Sequence, residues 1–285
     1  MSSLAETHRR YGPSAFGDDL RRFWSLTLTL ATTEFKLRYF GSVLGYFWSL
    51  VRPLLFFGVL YAFFTVVLNL GKGVPHYPVY LLTSIVMWTY FTETTGGCVQ
   101  CLLAREGLLR KMRFPRLVVP LSVALTAAFN LAANFVAVLA FALASGVTPS
   151  WSWLELLPIV LLLAALAVGV GTLLSALYVR FRDVQPIWEV VVQALFYGSP
   201  IIYVAAQYAS RGGARLQHVA LTFNPLATLF TQSGHAFIGG SHFPTAADAA
   251  GGTARLLIPL AIVVGTFALG LWVFHREAPR IAERL

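Results

Sequence analysis

Apolar residues gather into six long runs, near 43–70, 78–103, 117–145, 153–179, 184–206 and 256–274, and charged residues collect in the stretches between them. A helix rising about 1.5 Å per residue crosses a ~30 Å hydrocarbon core in about 20 residues, so each run is near or above spanning length. The pattern predicts an all-α integral membrane fold with six transmembrane helices. Across the 28 residues of the first run only Arg52 is formally charged. That is more than a perpendicular crossing requires, so either its first part lies in the interface or the helix kinks at Pro53. Upstream, residues 16–40 place Leu20, Phe23, Trp24 and Thr27 at helical spacing behind Asp18 and Asp19, which suit a helix start. An amphipathic helix lying on the membrane surface is expected there, because Phe23, Trp24, Leu26, Leu28 and Leu30 leave too much apolar surface for water.

The polar exceptions inside the runs carry further information. Ser122, Thr126, Asn130 and Asn134 recur every four residues along the third run, so they form one stripe that should face protein or water. The stripe reads either as interhelical hydrogen bonding or as the lining of a polar path. Glu93, near Gly96 and Gly97, falls at membrane depth, where a lone carboxylate is costly, and Arg52 is a candidate partner. Gly41 and Gly45 form a G-x-x-x-G pair that either admits another helix backbone as a dimer contact or permits a bend. Between the fifth and sixth runs, FNPLATLF offers Asn224 as a helix cap and Pro225 as the first helical residue, followed by too few apolar residues to span. Ser199 and Pro200 in YGSPIIY interrupt the fifth run. Short re-entrant helices dipping back from outside fit this text, and a surface loop with one amphipathic helix is the alternative.

Composition narrows the class. The chain is 57% hydrophobic and 12% charged, against the roughly 25% charged of a soluble domain. Its net charge of +9 does not lie along one surface, so nucleic acid is not an expected partner. Sixteen Lys and Arg fall in the amino-terminal segment, at 104–116, at 180–185 and in the carboxyl-terminal tail. Four, Lys72, Arg211, Arg215 and Arg255, fall in the alternate stretches. This asymmetry predicts a multi-pass protein with both termini cytoplasmic. The expected organisation is a cytoplasmic segment 1–42 with the interface helix, a six-helix transmembrane domain 43–275 and a cytoplasmic tail 276–285. No basic start followed by a short apolar core and a cleavage site occurs in 1–42, so no signal peptide is expected.

Catalytic chemistry is not visible. No G-x-x-x-x-G-K-[ST], G-x-S-x-G or H-E-x-x-H occurs, and the six histidines are scattered. Gly169, Gly171 and Thr172 read as packing inside an apolar helix. Cys98 and Cys101 lack the further ligands a zinc site needs and read as small helix residues one turn apart. No metal or cofactor is expected on this chain.

Five motifs stand in order: EFKLRYFGSVLGYFWSLVRPLL, GLLRKMRFPRLVVPLS, VRFRDVQPIW, YGSPIIY and FNPLATLF. Together they resemble the permease subunits of polysaccharide-exporting ABC transporters, the exporters of O-antigen, teichoic acid and mycobacterial-type galactan. The resemblance implies a homodimer of six-helix subunits around a continuous channel in the bacterial cytoplasmic (inner) membrane. It also implies two separate ATPase subunits that hold the ATP and Mg, and re-entrant helices gating the outer mouth. The expected function is export of a lipid-linked polysaccharide; a drug- or lipid-exporting permease, or a membrane enzyme of lipid-linked sugars, is the alternative. Arg52 departs from the resemblance, which implies a polar or uncharged residue before the proline.

On that reading Tyr39, Phe40, Tyr46, Phe47, Trp48, Trp88, Tyr90, Phe91, Phe196 and Tyr197, with Arg52 and Glu93, are candidates for the substrate path. Aromatic faces stack on sugar rings without fixing one register, although each ring alone also reads as an interfacial anchor or core filler. Coupling to the ATPase is expected at 104–117. There Leu108, Leu109 and Met112 form an apolar ridge rimmed by Arg105, Arg110, Lys111 and Arg113, Glu106 adds a polar contact, and Pro115 stops the helix. A plain positive-inside loop is the other reading, and Arg182 with Asp183 is the second coupling candidate. Because no nucleotide loop exists, the purified chain alone is expected to release no phosphate from ATP, with turnover appearing only when a separate ATPase subunit is added. Hydrolysis by contaminant-free chain would contradict this.

Overall fold

The computed structural model describes residues 20–39, 45–69, 71, 73–111, 115–239 and 243–284, and every regular element among them is helical. The order is α1 (Leu20–Tyr39), α2 (Gly45–Tyr61, continued by a π-helical stretch Ala62–Val67), α3 (Tyr77–Ala104), α4 (Glu106–Lys111) and α5 (Val118–Ala144). After a 3-10 turn at Trp151–Glu155 come α6 (Leu156–Tyr178), α7 (Val184–Gly198), α8 (Ala206–Phe223), α9 (Pro225–Phe237) and α10 (Ala246–Ala250). A second 3-10 turn, Thr253–Leu256, leads into α11 (Leu257–Arg284).

Among the described residues four segments are long and apolar enough to cross a membrane: Phe47–Thr65, Val118–Ala144, Trp151–Tyr178 and Thr253–Ala278. α3 has 28 residues, roughly 42 Å at the helical rise, yet it is not among them, because threonines, glycines and tyrosines dilute its apolar character. Its threonines and tyrosines are buried or half-buried in protein, whereas Gly96 and Gly97 are exposed. Tyr77, Leu81, Met87 and Phe91 are buried, and α5 and α6 pack along α3. The first run does not divide at Pro53, which lies inside α2.

The fifth run is not one helix. α7 ends at Gly198 after 15 residues, because Ser199 is extended (φ −113°, ψ 150°) and Pro200 has no N–H to continue the ladder. The released carbonyls find partners at a distance. Tyr77 Oη donates to the Ile202 carbonyl and Tyr80 Oη to that of Pro200, while Asn224 Nδ2 donates to Ser199 Oγ at 3.0 Å. Asn224 also caps α9 as the sequence predicts, its Oδ1 accepting from the Leu226 and Ala227 amides, with Pro225 in the first turn.

α1 docks on α5 by one face. Phe23, Thr27 and Ala31, one turn apart, are buried, Thr126 Oγ1 donates to the Ala31 carbonyl at 3.3 Å, and the rings of Phe35 and Phe129 lie 5.6 Å apart. Leu20, Trp24, Leu28 and Leu37 stay exposed. Asp18 and Asp19 lie outside the described residues.

The glycines of α6 act as packing surface. A Cβ on Gly270 of α11 would come within 2.1 Å of the Gly169 carbonyl oxygen, and one on Gly171 within 2.9 Å of Cys98 Sγ. Cys98 and Cys101 are buried and unbridged, and no group of metal-ligating side chains forms among the described residues. Gly270→Ala is expected to force the two helices apart at a cost of about 1–3 kcal/mol, seen as a lower unfolding midpoint in detergent. Gly265→Ala on the same helix, where nothing lies within 4 Å of the new methyl, should leave the midpoint unchanged or slightly raised.

Candidate functional site

Three helices present polar residues at a common helical spacing, and these meet around a cavity of about 510 Å³. α2 contributes Trp48 and Arg52, α3 contributes Tyr90 and Glu93, and α5 contributes Asn130 and Asn134. The end of α1 closes the cavity with Arg38. Spacings of three and four residues set each pair on one helix face.

Glu93 is engaged through both oxygens. Asn130 Nδ2 donates to Oε2 at 3.0 Å, and Arg38 Nη1 lies 3.9 Å from Oε1. Its charge partner is therefore Arg38 rather than the expected Arg52, because α1 runs beside α5 and delivers Arg38 to the carboxylate. The polar stripe of α5 divides between two roles. Ser122 Oγ accepts from Arg105 Nη1 at 3.3 Å and Thr126 binds α1, whereas Asn130 and Asn134 face the cavity. Asn134 Nδ2 donates to the Asn130 carbonyl at 2.8 Å and approaches that of Ser49 at 3.5 Å.

The aromatic candidates separate by burial. Trp88 and Phe91 are 6% and 1% exposed, with ring centroids 5.6 Å apart, and Phe196 packs 5.5 Å from Trp88. Trp88 and Phe91 are thus core filler in the protomer and offer no face to a passing sugar. Tyr90 is buried at the cavity wall, Trp48 is about half exposed there, and Phe47 is exposed outside it. Tyr197 is exposed and lines a second cavity of about 540 Å³ with Tyr203 and Tyr208. Those two tyrosines were not singled out from the sequence, where nothing local marks a ring lying beyond a helix break. Phe40, Gly41 and the side chains of Tyr39 and Tyr46 lie outside the described residues. Gly45 is buried in the cavity wall rather than on an open face.

The segment expected to couple is more firmly tied to the body than its composition implies. Leu109 is buried with Phe23, Leu102, Leu117 and Phe274, so it belongs to the core and not to an exposed ridge. Arg105 is not a rim cation: it pairs with Glu34 of α1, reaches Ser122, and burial lowers its guanidinium pKa below the usual value. Glu106 is half-buried at the start of α4. The side chains of Leu108, Arg110 and Lys111, and all of Met112 and Arg113, lie outside the described residues. Arg182 and Asp183 are exposed in the turn before α7, where the Arg182 guanidinium sits 5.1 Å from the Tyr178 ring centre. Neither Glu34 nor Arg38 stands out from the sequence; their four-residue spacing, which aims both at one side of α1, is the signal that they act together.

Comparison with known proteins extends this picture. The ABC-2 type transporter family matches residues 25–211. The chain is 29% identical over 213 residues to the O-antigen export system permease protein RfbA of Myxococcus xanthus, covering 75% of this chain and 80% of that protein. It is 27% identical over 224 residues to the O-antigen export system permease protein RfbA of Klebsiella pneumoniae, covering 78% and 84%.

Arg105→Ala strands the partly buried Glu34 carboxylate and is expected to cost about 1–3 kcal/mol. Arg38→Ala, which removes a longer and more exposed contact, should cost about 0–1 kcal/mol. Unfolding midpoints of the two variants in the same detergent give the order, and equal midpoints would show that the Glu34 pair does not hold α1 in place.

Proposed function

The chain belongs to the ABC-2 type transporter family, and on that premise we propose that it is the permease of an ATP-driven exporter that moves a lipid-linked polysaccharide from the cytoplasm to the outside. The observation that carries this reading is the 29% identity, over three-quarters of the chain, with an O-antigen export permease. The protein is multi-pass and transports rather than catalyses; membership of the family brings with it an ABC ATPase as partner.

The finer architecture is part of the proposal. α3 and the α7 region join the four apolar segments to make six crossings in the domain 43–275, with the 1–42 segment and the 276–285 tail both in the cytoplasm of the bacterial inner membrane. The sixteen-to-four distribution of basic residues supports this orientation. α8 and α9, joined at the Asn224 cap, are the re-entrant pair at the outer mouth, and two copies of the chain form the channel. Ile187, Val190 and Val191 are exposed along α7, which supports a second protomer there. ATP and Mg reside on the ATPase, and this chain needs no cofactor of its own.

Coupling is assigned to the segment after α3, with Leu108, Lys111 and Met112 meeting the ATPase and the exposed Arg182–Asp183 turn as a second contact. Leu109 and Arg105 hold the segment to the body, so a push on α4 reaches α3 directly. The test is co-expression with a partner ABC ATPase in a host lacking its own permease. Surface glycan, detected by immunolabelling of intact cells, is expected to return with the native chain and to fall to background with Leu108→Asp at equal membrane levels. Absence of surface glycan when both native proteins reach the membrane would overturn the export reading. Undiminished export by Leu108→Asp would overturn the coupling assignment alone.

A further inference from the structure

Arg52 lies five residues, roughly 7.5 Å along the axis, inside the apolar segment that begins at Phe47. A guanidinium at such a depth is expensive unless a partner or a ligand engages it. It lines the cavity with Glu93, whose two oxygens are engaged by Asn130 and Arg38. Arg52 itself has no hydrogen-bond or ion-pair partner among the described residues. The cavity therefore carries two guanidinium groups against one carboxylate, and its volume falls within the range of about 300–1,000 Å³ usual for ligand sites. An arginine fork presents paired N–H donors that match phosphate oxygens.

The surroundings select the kind of anion. Leu55 and Val59 follow Arg52 at three and seven residues, which places them on the same face of α2, and both are exposed. A charged pocket continued by an apolar stripe suits an amphiphile better than a free ion. We propose that the cavity binds the phosphate or diphosphate group of a membrane lipid through Arg52 and Arg38, with the hydrocarbon tail lying along Leu55 and Val59. Two sources share this chemistry: the phosphate linker of the lipid-linked glycan, which rests on the export reading above, and the headgroup of a bilayer phospholipid. The unusual arginine before Pro53 then acts as the anion hook at the side of the permease.

The probe is radiolabelled farnesyl diphosphate, offered to the full chain in uncharged maltoside micelles. Saturable binding is expected, weakened at least tenfold by Arg52→Ala, weakened less by Arg38→Ala and partly kept by Arg52→Lys. Farnesol should not compete. Binding within twofold of wild type for both Arg52→Ala and Arg52→Gln, in protein that elutes as wild type, would overturn the site, and so would competition by farnesol equal to that of unlabelled probe. Inorganic pyrophosphate displacing the probe as well as the prenyl compound does would overturn the tail assignment. Dioleoyl phosphatidic acid separates the sources: equal displacement assigns the site to phospholipid headgroups, and weak displacement assigns it to the diphosphate carrier. A chain that binds the probe yet restores no surface glycan would sink the export reading and leave the site standing. Restored glycan without probe binding would do the reverse.

Discussion

A charge placed beside an apolar helix is stabilised by a partner inside the protein, and two such pairings organise the first half of the chain. Glu93 on α3 and Arg105 just beyond its end are two polar commitments on one helix. α1 answers both, with Arg38 facing the first and Glu34 pairing with the second. The small Ala31 lets its backbone sit against Thr126 of α5, so α1 is fixed lengthwise by two ion pairs and sideways by one close contact. The ion pairs alone contribute modestly at this exposure. Their larger effect is to set the register of α1, since leaving either carboxylate unpaired costs more than pairing it gains.

The same kind of pairing explains how the chain tolerates a broken helix after α7. Extended backbone at Ser199 and the missing N–H of Pro200 leave carbonyls that water cannot reach in a buried turn. Tyr77 and Tyr80, at the start of α3, supply the hydroxyl donors, and Asn224 ties the break to the α9 cap. The break therefore remains attached to a largely buried helix, and the α8–α9 region is built outward from a rigid foundation.

α3 joins these two regions. It runs unbroken from Tyr77 to Ala104, with the tyrosines that hold the break at one end, Glu93 at the cavity in its lower half and Arg105 at its close. Whatever acts on the segment after Ala104 acts on a helix that reaches both the charged cavity and the break after α7. That continuity gives the proposed coupling a physical route, because a packed helix moves as a body rather than by bending at successive residues.

What the amino-acid sequence determined by itself was local. The apolar runs, the Asn224 cap with Pro225, the helix that became α1 and the stop before Pro200 depend on residues a few positions apart, so periodicity and turn chemistry suffice to read them. The polar stripe on α5 was legible for the same reason. Tertiary structure decided what each of those residues meets. Hydropathy scores Trp88, Phe91 and Leu109 as apolar but does not distinguish lipid, partner or core as their neighbour, and the packing of α3 against its neighbours made all three core. α3 itself reads as a weaker span than it is buried, since a helix enclosed by protein need not be uniformly apolar. The pairing of Glu93 with Arg38 and Asn130 joins residues 55 and 37 positions apart, and only the docking of α1 along α5 could choose Arg38 over Arg52 and leave Arg52 facing an open cavity.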